Sequence, residues 1–131
     1  MSRTEQITVT VTTAPLPKDY LYRRRTLWGG DRGESARRII TRIGVRVGKA
    51  PQYLPLSAYA DLGDPTRVYP QPLPKAHFRL VIHGSDAGGA YTAYFYFRQG
   101  NLVHRKVVSG EFPSEVWEDT RYGFIPSNSR L

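Results

Sequence analysis

The stretch 77–110 constrains the fold most, because it contains three runs of β-branched and aromatic residues separated by short turns. The runs are HFRLVIHG, AYTAYFYFR and NLVHRKVVSG, at 77–84, 90–98 and 101–110. Such residues pack well on the half-buried surface of a pleated sheet. Glycines in 85–89 and at position 100 suit tight turns, and strands joined by such short connections pair antiparallel. The sequence therefore predicts an antiparallel meander over 77–110.

The two faces of this meander differ, because side chains alternate along a strand. In the first run Phe78, Leu80 and Ile82 share a face, and in the second Phe95 and Phe97 share one. This apolar side is predicted to face the core. The opposite side carries Arg79, His83, Tyr94 and Tyr96.

The side chains that the third run adds to this second face depend on the length of the turn at Gly100. A two-residue turn places Val103 and Arg105 beside the tyrosines, whereas a three-residue turn places His104 and Lys106 there. In both cases the face is aromatic and basic.

The N-terminal part holds two further candidate strands. Residues 6–12 alternate Ile and Val with Thr, which is typical of a half-buried strand. Residues 34–47 have helical spacing at first, but the alternation and β-branching from Ile39 onward favour a strand over Ile39–Val47, after at most one helical turn near Glu34–Arg37.

A strand over Ile39–Val47 would place Arg38, Arg42 and Arg46 in a row, with about 13 Å between successive arginines. Such a row is a candidate for gripping an anion. The alternative is the solvent side of an edge strand, where charge prevents unwanted pairing.

Two short helices are also predicted. Ser57 is a candidate cap for a turn over Ala58–Leu62. Ser114 precedes Glu115, Glu118 and Asp119, and acids in a first turn favour a helix start. The predicted fold is therefore a single α+β domain over 1–131. It has an antiparallel sheet of five or six strands, one or two short helices on one face, and a frayed tail at 126–131.

The chain has a net charge of +8, and this charge is concentrated near its N-terminus. Residues 1–50 hold eleven Lys/Arg and four acids, giving +7, while residues 51–131 hold eight basic and seven acidic groups. An excess of this kind indicates an anionic partner. With no cysteine, no apolar h-region and no apolar run of about 18 residues, the sequence predicts a cytoplasmic protein without membrane insertion.

The run Arg23, Arg24 and Arg25 lies among aromatic residues, with Tyr22 before it and Trp28 after it. Rings that stack on bases and guanidinium groups that meet phosphates are typical of a single-stranded nucleic-acid surface. The same composition is also typical of a loop that its rings attach to a core.

Catalytic motifs are sparse. The glycines of GGDRGES at 29–35 do not form a phosphate loop, because Glu34 occupies the position of the essential lysine. His83 and His104 are the candidates for acid–base cleavage of RNA by a small, basic, metal-independent ribonuclease or phosphodiesterase. No metal-ligand spacing is present, so no metal or cofactor is predicted, and a non-enzymatic role is favoured.

The leading hypothesis is a small binding protein for an anionic macromolecule. Its partner would be an acidic protein surface, as for an inhibitor or immunity-type protein, or a nucleic acid. The sequence does not choose between these partners, and it leaves the oligomeric state open. The residues predicted to contact the partner are Arg23, Arg24, Arg25, Arg38, Arg42, Arg46, Arg79, Tyr94 and Tyr96.

Overall fold

Eight strands form two antiparallel sheets in the computed structural model, which describes residues 6–16, 28, 36–74, 77–85 and 89–122. A three-stranded sheet has the order β1-β2-β3, and a five-stranded sheet has the order β4-β5-β6-β7-β8. The strands are β1 (Ile7–Pro15), β2 (Arg38–Val47), β3 (Ala50–Pro51), β4 (Pro65–Pro72), β5 (Phe78–Gly84), β6 (Tyr91–Arg98), β7 (Asn101–Ser109) and β8 (Val116–Arg121).

The two sheets bury their apolar faces in one shared core. The three-stranded sheet contributes Ile40, Ile43 and Val45, and the five-stranded sheet contributes a larger set that includes Leu80 and Phe95. All of these side chains are at most 5% exposed. Burial of apolar surface from both sheets is what holds them face to face. Each sheet therefore has an inner face toward the core and an outer face away from it.

The α+β prediction was wrong, because the described residues are almost entirely strand. Residues 116–121, where a helix was predicted, form β8 and pair with β7. The acids near Ser114 favoured a helix locally, but Val116, Trp117 and Thr120 suit a strand, and β7 offers backbone partners along its whole length. The turn predicted over Ala58–Leu62 with Ser57 as its cap is also wrong. A single 3₁₀ turn covers Leu56–Ala58, so that Ser57 lies inside it and Pro55 occupies the N-cap position.

The predicted meander is confirmed as β5, β6 and β7. Arg98 pairs with Asn101 across a two-residue turn, in which Gln99 and Gly100 have φ values of 51° and 84°. Two successive positive φ values are typical of a type I′ turn, whose twist matches that of the flanking strands.

A β-bulge at Val103 then changes the side of the sheet to which β7 points its side chains. Phe97 pairs with Leu102 but Tyr96 pairs with His104, so Val103 is an extra residue on β7. His104 and Lys106 consequently lie beside the tyrosines, as expected for a three-residue turn, although the turn itself has two residues. Arg105 points inward instead and is 3% exposed.

A second bulge interrupts β2. Thr12 pairs with Arg42 and Thr13 pairs with Ile40, so Thr41 is the extra residue. Because paired residues share a face, Ile40 and Arg42 lie on opposite faces of the sheet. The strand predicted over Ile39–Val47 is confirmed, but the bulge divides its row of arginines.

Asp64 joins the two sheets at the start of β4. Its Oδ1 accepts hydrogen bonds from the backbone N–H groups of Arg37 and Arg38, each at 2.9 Å, and its own N–H donates to the Arg38 carbonyl at 3.0 Å. A short polar side chain suits this position, since Asp64 has a positive φ of 48°. Residues 36 and 37 are not helical, whereas residues 34 and 35 lie outside the described residues.

The strand β4 forms one edge of the five-stranded sheet and continues through its prolines. Pro70 pairs with Leu80 and Pro72 pairs with Phe78, so the pairing of β4 with β5 continues past both prolines. Proline is tolerated in an edge strand because its missing N–H faces away from the neighbour. Among the described residues, no helix has the length and apolar character needed to cross a membrane.

Candidate functional site

The outer face of the five-stranded sheet holds five of the residues that the sequence singled out: Arg79, His83, Tyr94, Tyr96 and His104. Strand register places two lines of residues across all five strands. The first line is Gln71, Arg79, Tyr96, His104 and Arg121, and the second is Tyr69, Val81, Tyr94, Lys106 and Asp119. With Arg67 and His83 beside them, these residues form the surface that we call the tyrosine face.

Arg79 lies at the centre of the tyrosine face and contacts the strands on both sides. Its Nε donates to the Oε1 of Gln71 at 2.5 Å, and its Nη1 donates to the hydroxyl of Tyr96 at 3.0 Å. Its guanidinium also lies 4.2 Å from the ring centroid of Tyr94. A guanidinium held by hydrogen bonds and a ring is preorganised, so it loses little entropy when it binds an anion.

A second set of contacts extends this arrangement to the β8 edge. The rings of Tyr96 and His104 stack with centroids 5.0 Å apart, and the Nε2 of His104 lies 2.5 Å from an Asp119 carboxylate oxygen. The hydrogen bond to His104, with the nearby positive charges of Arg121 and Lys106, lowers the pKa of Asp119. Asp119 therefore remains ionised and partly neutralises this end of the face.

His83 uses both of its ring nitrogens within the face. Its Nε2 lies 3.1 Å from the Tyr69 hydroxyl and its Nδ1 lies 3.0 Å from the Oγ1 of Thr92. Burial and the neighbouring Arg67 lower the pKa of His83 below its ordinary 6.5. The imidazole is therefore neutral at pH 7, and its hydrogen bonds hold it in place.

The two histidines proposed for acid–base catalysis are not brought together. His83 pairs with Thr92 and His104 pairs with Tyr96, which lie four residues apart on β6. Two strand spacings and four residues correspond to about 16 Å between their Cα atoms. An acid and a base must both be within hydrogen-bond reach of one reacting group, so this geometry does not support a shared phosphodiester site.

The arginines of β2 lie away from the tyrosine face. Arg42 and Arg46 are exposed on the outer face of the three-stranded sheet, on the other side of the core. Arg38 lies beyond the Thr41 bulge, on the face of Ile40, and its Nε donates to the Oγ1 of Thr13 at 3.1 Å. The predicted row of three arginines is therefore reduced to a pair, and one flat partner cannot contact both this pair and the tyrosine face.

The basic run Arg23, Arg24 and Arg25 lies outside the described residues. Trp28, which follows that run, stacks on Trp117 with centroids 5.4 Å apart and an interplanar angle of 11°. Its backbone also bonds to Asp61 and Gly63. Trp28 therefore packs against the described part of the fold. This agrees with the second interpretation of the run, in which aromatic rings attach it to the core.

A buried charged cluster was not predicted from the sequence. Arg105 donates to both carboxylate oxygens of Asp61, at 2.7 and 2.8 Å, to Glu118 at 2.7 Å and to the Ala58 carbonyl at 2.6 Å. These two carboxylates raise the pKa of Arg105 despite its burial. The one signal for this cluster in the sequence is an arginine, Arg105, between the apolar residues Leu102 and Val107. That signal indicates a buried arginine only if the bulge at Val103, which turns Arg105 inward, is already known.

No group of three or more metal-ligating side chains is found in the part of the chain that the structure describes. Comparisons with protein-family models, with curated proteins and with solved structures gave no match for this chain.

Proposed function

We propose that this protein is a non-enzymatic binding protein that holds an anionic macromolecule on its tyrosine face. The observation that carries the proposal is the preorganised Arg79, which Gln71, Tyr94 and Tyr96 hold in place on the outer side of the sheet. Arg79, Tyr94 and Tyr96 are all half-buried, so each retains surface for a partner.

The charge of the face supports an anionic partner. The five strands contain two carboxylates, Glu118 and Asp119, and Glu118 points inward to Arg105. Asp119 is therefore the one carboxylate of these five strands on the face, against four permanent cations: Arg67, Arg79, Lys106 and Arg121. A surface with a net positive charge attracts an anionic partner and increases its rate of association.

The orientation of the rings favours an acidic protein surface over a base-stacking nucleic acid. Tyr94 has the Arg79 guanidinium over its ring, Tyr96 has the His104 imidazole, and Tyr69 has the Arg67 guanidinium at 4.7 Å. Base stacking needs a free ring face. Each of these rings has a face against a guanidinium or imidazole neighbour, and the tyrosine hydroxyls and guanidinium N–H groups supply hydrogen bonds that recognise carboxylates without stacking.

The test compares two double variants with the same loss of charge. Lys106→Gln/Arg121→Gln removes two cations from the tyrosine face, and Arg37→Gln/Lys49→Gln removes two exposed cations elsewhere. Fluorescence anisotropy with labelled poly-glutamate should show an affinity at least about tenfold weaker for the first variant than for the second, about 1.4 kcal/mol. Equal affinities for the two variants would reject the tyrosine face as the site.

A parallel titration with a labelled single-stranded oligonucleotide tests the class of partner. Tighter binding of the oligonucleotide, with a steep fall between 50 and 200 mM salt, would show that the partner is a nucleic acid. Preference for poly-glutamate would support the acidic protein surface.

A further inference from the structure

Gly44 is a glycine in the middle of β2 that the fold itself does not require. A glycine inside a strand weakens it, and it commonly marks a bulge, a bend or a close approach by a ligand or another backbone. Gly63 and Gly84 have such a reason, since a Cβ there would lie 2.3 Å from Ala36 and 2.2 Å from Tyr91. At Gly44 no atom of the described residues, apart from its chain neighbours, lies within 4 Å of the place of a Cβ, and its φ is not positive.

The surroundings of Gly44 are polar and basic. It lies between Arg42 and Arg46 on the outer face of the three-stranded sheet and pairs with Thr10 on β1. Thr8 and Thr12 pair with the two arginines, and all of these threonines and arginines are exposed. The missing side chain therefore leaves a depression with a hydroxyl beside it and a guanidinium group at each end.

Nothing in this sheet neutralises the two arginines. The strands β1, β2 and β3 contain no aspartate or glutamate. Protection of a free edge does not account for these charges either, because β2 lies between β1 and β3 and its second side bonds to residues 52, 62 and 64.

We propose that the depression at Gly44 is a binding site for a phosphate group. Arg42 and Arg46 have Cα atoms about 13 Å apart, so their long side chains can approach one group from opposite sides. The Thr10 hydroxyl supplies a third donor from the neighbouring strand. The oxygens of a tetrahedral phosphate point in different directions, so it can accept from donors on three sides at once, whereas the two oxygens of a carboxylate accept mainly within one plane.

This site lies across the core from the tyrosine face, so it does not depend on the proposed function. Its test is an NMR titration of ¹⁵N-labelled protein with inorganic phosphate, and separately with a single-stranded oligonucleotide that has no terminal phosphate. We expect the amide signals of Thr10, Gly44 and Val45 to shift as ligand is added and to reach a plateau when the site is full. Saturation by inorganic phosphate alone would assign a free phosphate group, and tighter binding of the oligonucleotide would assign a phosphodiester backbone.

Gly44→Val is the decisive variant, because a β-branched side chain fits the strand and the open space but fills the depression. We expect it to remain folded, with an unchanged or higher urea midpoint, and to weaken phosphate binding at least about tenfold, while Arg42→Gln/Arg46→Gln abolishes binding. The proposal is overturned if the Gly44→Val variant is folded and binds phosphate as tightly as the wild type does. It is also overturned if neither phosphate nor the oligonucleotide shifts these amides.

Discussion

Arg105 and Asp61 form a bidentate ion pair between β7 and the loop that precedes β4, at N–O distances of 2.7 and 2.8 Å. The guanidinium is 3% exposed, and it is bound by both Asp61 and Glu118, either of which balances its charge. The pair attaches residues 56–64 to the five-stranded sheet. The two residues are 44 positions apart in the sequence, and neither the sequence around Asp61 nor the sequence around Arg105 indicates that they meet.

Asp61→Asn should destabilise the protein by about 1.5 kcal/mol, because it replaces the bidentate carboxylate partner of the buried Arg105 with a neutral amide. Glu118 and the Ala58 carbonyl still bind the guanidinium, so its charge stays balanced and the loss is near the lower end of the range for hydrogen bonds to charged groups. Urea denaturation monitored by tryptophan fluorescence measures it. Glu111→Gln, an exposed acid in the β7–β8 loop, is the control and should change the stability by less than about 0.5 kcal/mol.

Gly84→Ala and Gly44→Ala should have opposite effects on stability. A Cβ at Gly84 would lie 2.2 to 2.4 Å from the ring of Tyr91, which is 1% exposed and fixed by a 2.8 Å hydrogen bond to the Gly63 carbonyl. Overpacking of this kind costs about 1–3 kcal/mol. Gly44→Ala has open space and should gain about 0.5 kcal/mol by restricting the unfolded chain. Thermal unfolding curves that move in the same direction for both would contradict this account.

Gln99→Asn should stabilise the β6–β7 hairpin by about 0.5 kcal/mol, because asparagine tolerates positive φ better than glutamine and Asn-Gly is the preferred type I′ pair. The complementary variant Gly100→Ala places a Cβ at φ 84° and should cost about 1 kcal/mol. Urea midpoints of the two variants and of the wild type check the pair. A loss of stability in Gln99→Asn would mean that the turn is not type I′ in solution.

Protonation of His83 should destabilise the fold. Its pKa is lowered in the folded state by burial and by Arg67, relative to 6.5 for an unperturbed histidine. The unfolded chain therefore binds the proton more readily, so this stabilising contribution is complete above about pH 6.5 and is lost as the pH falls through the lower folded pKa. NMR titration of the His83 ring measures that pKa directly. Arg67→Gln should raise it, and a wild-type value at or above 6.5 would contradict the buried, hydrogen-bonded imidazole.

The meander and its aromatic–basic face were accessible from the sequence because they depend on local signals. Alternation defines which residues of β5 and β6 share a face, and Gly100 marks the turn between β6 and β7. The sides to which His104 and Arg105 point stayed open in the sequence, because they depend on the turn and on the extra residue at Val103, and bulges carry little sequence signal. The predicted row from Arg38 to Arg46 missed the Thr41 bulge for the same reason.

The helix predicted after Ser114 shows a second limit. The acidic residues that suggested a first helical turn have separate tertiary roles, since Glu118 binds Arg105 and Asp119 binds His104. Local propensity was outweighed by pairing with β7. Both roles involve residues on β7, which no spacing within 114–119 can reveal.

The prolines of β4 determine how the five-stranded sheet can associate with other chains. Pro70 and Pro72 have the same strand parity, so the side of β4 that faces away from β5 lacks two successive amide donors. An incoming strand would find an incomplete ladder there, which discourages polymerisation through β4. The same residues that end the hydrogen-bond ladder of this sheet therefore also guard it against aggregation.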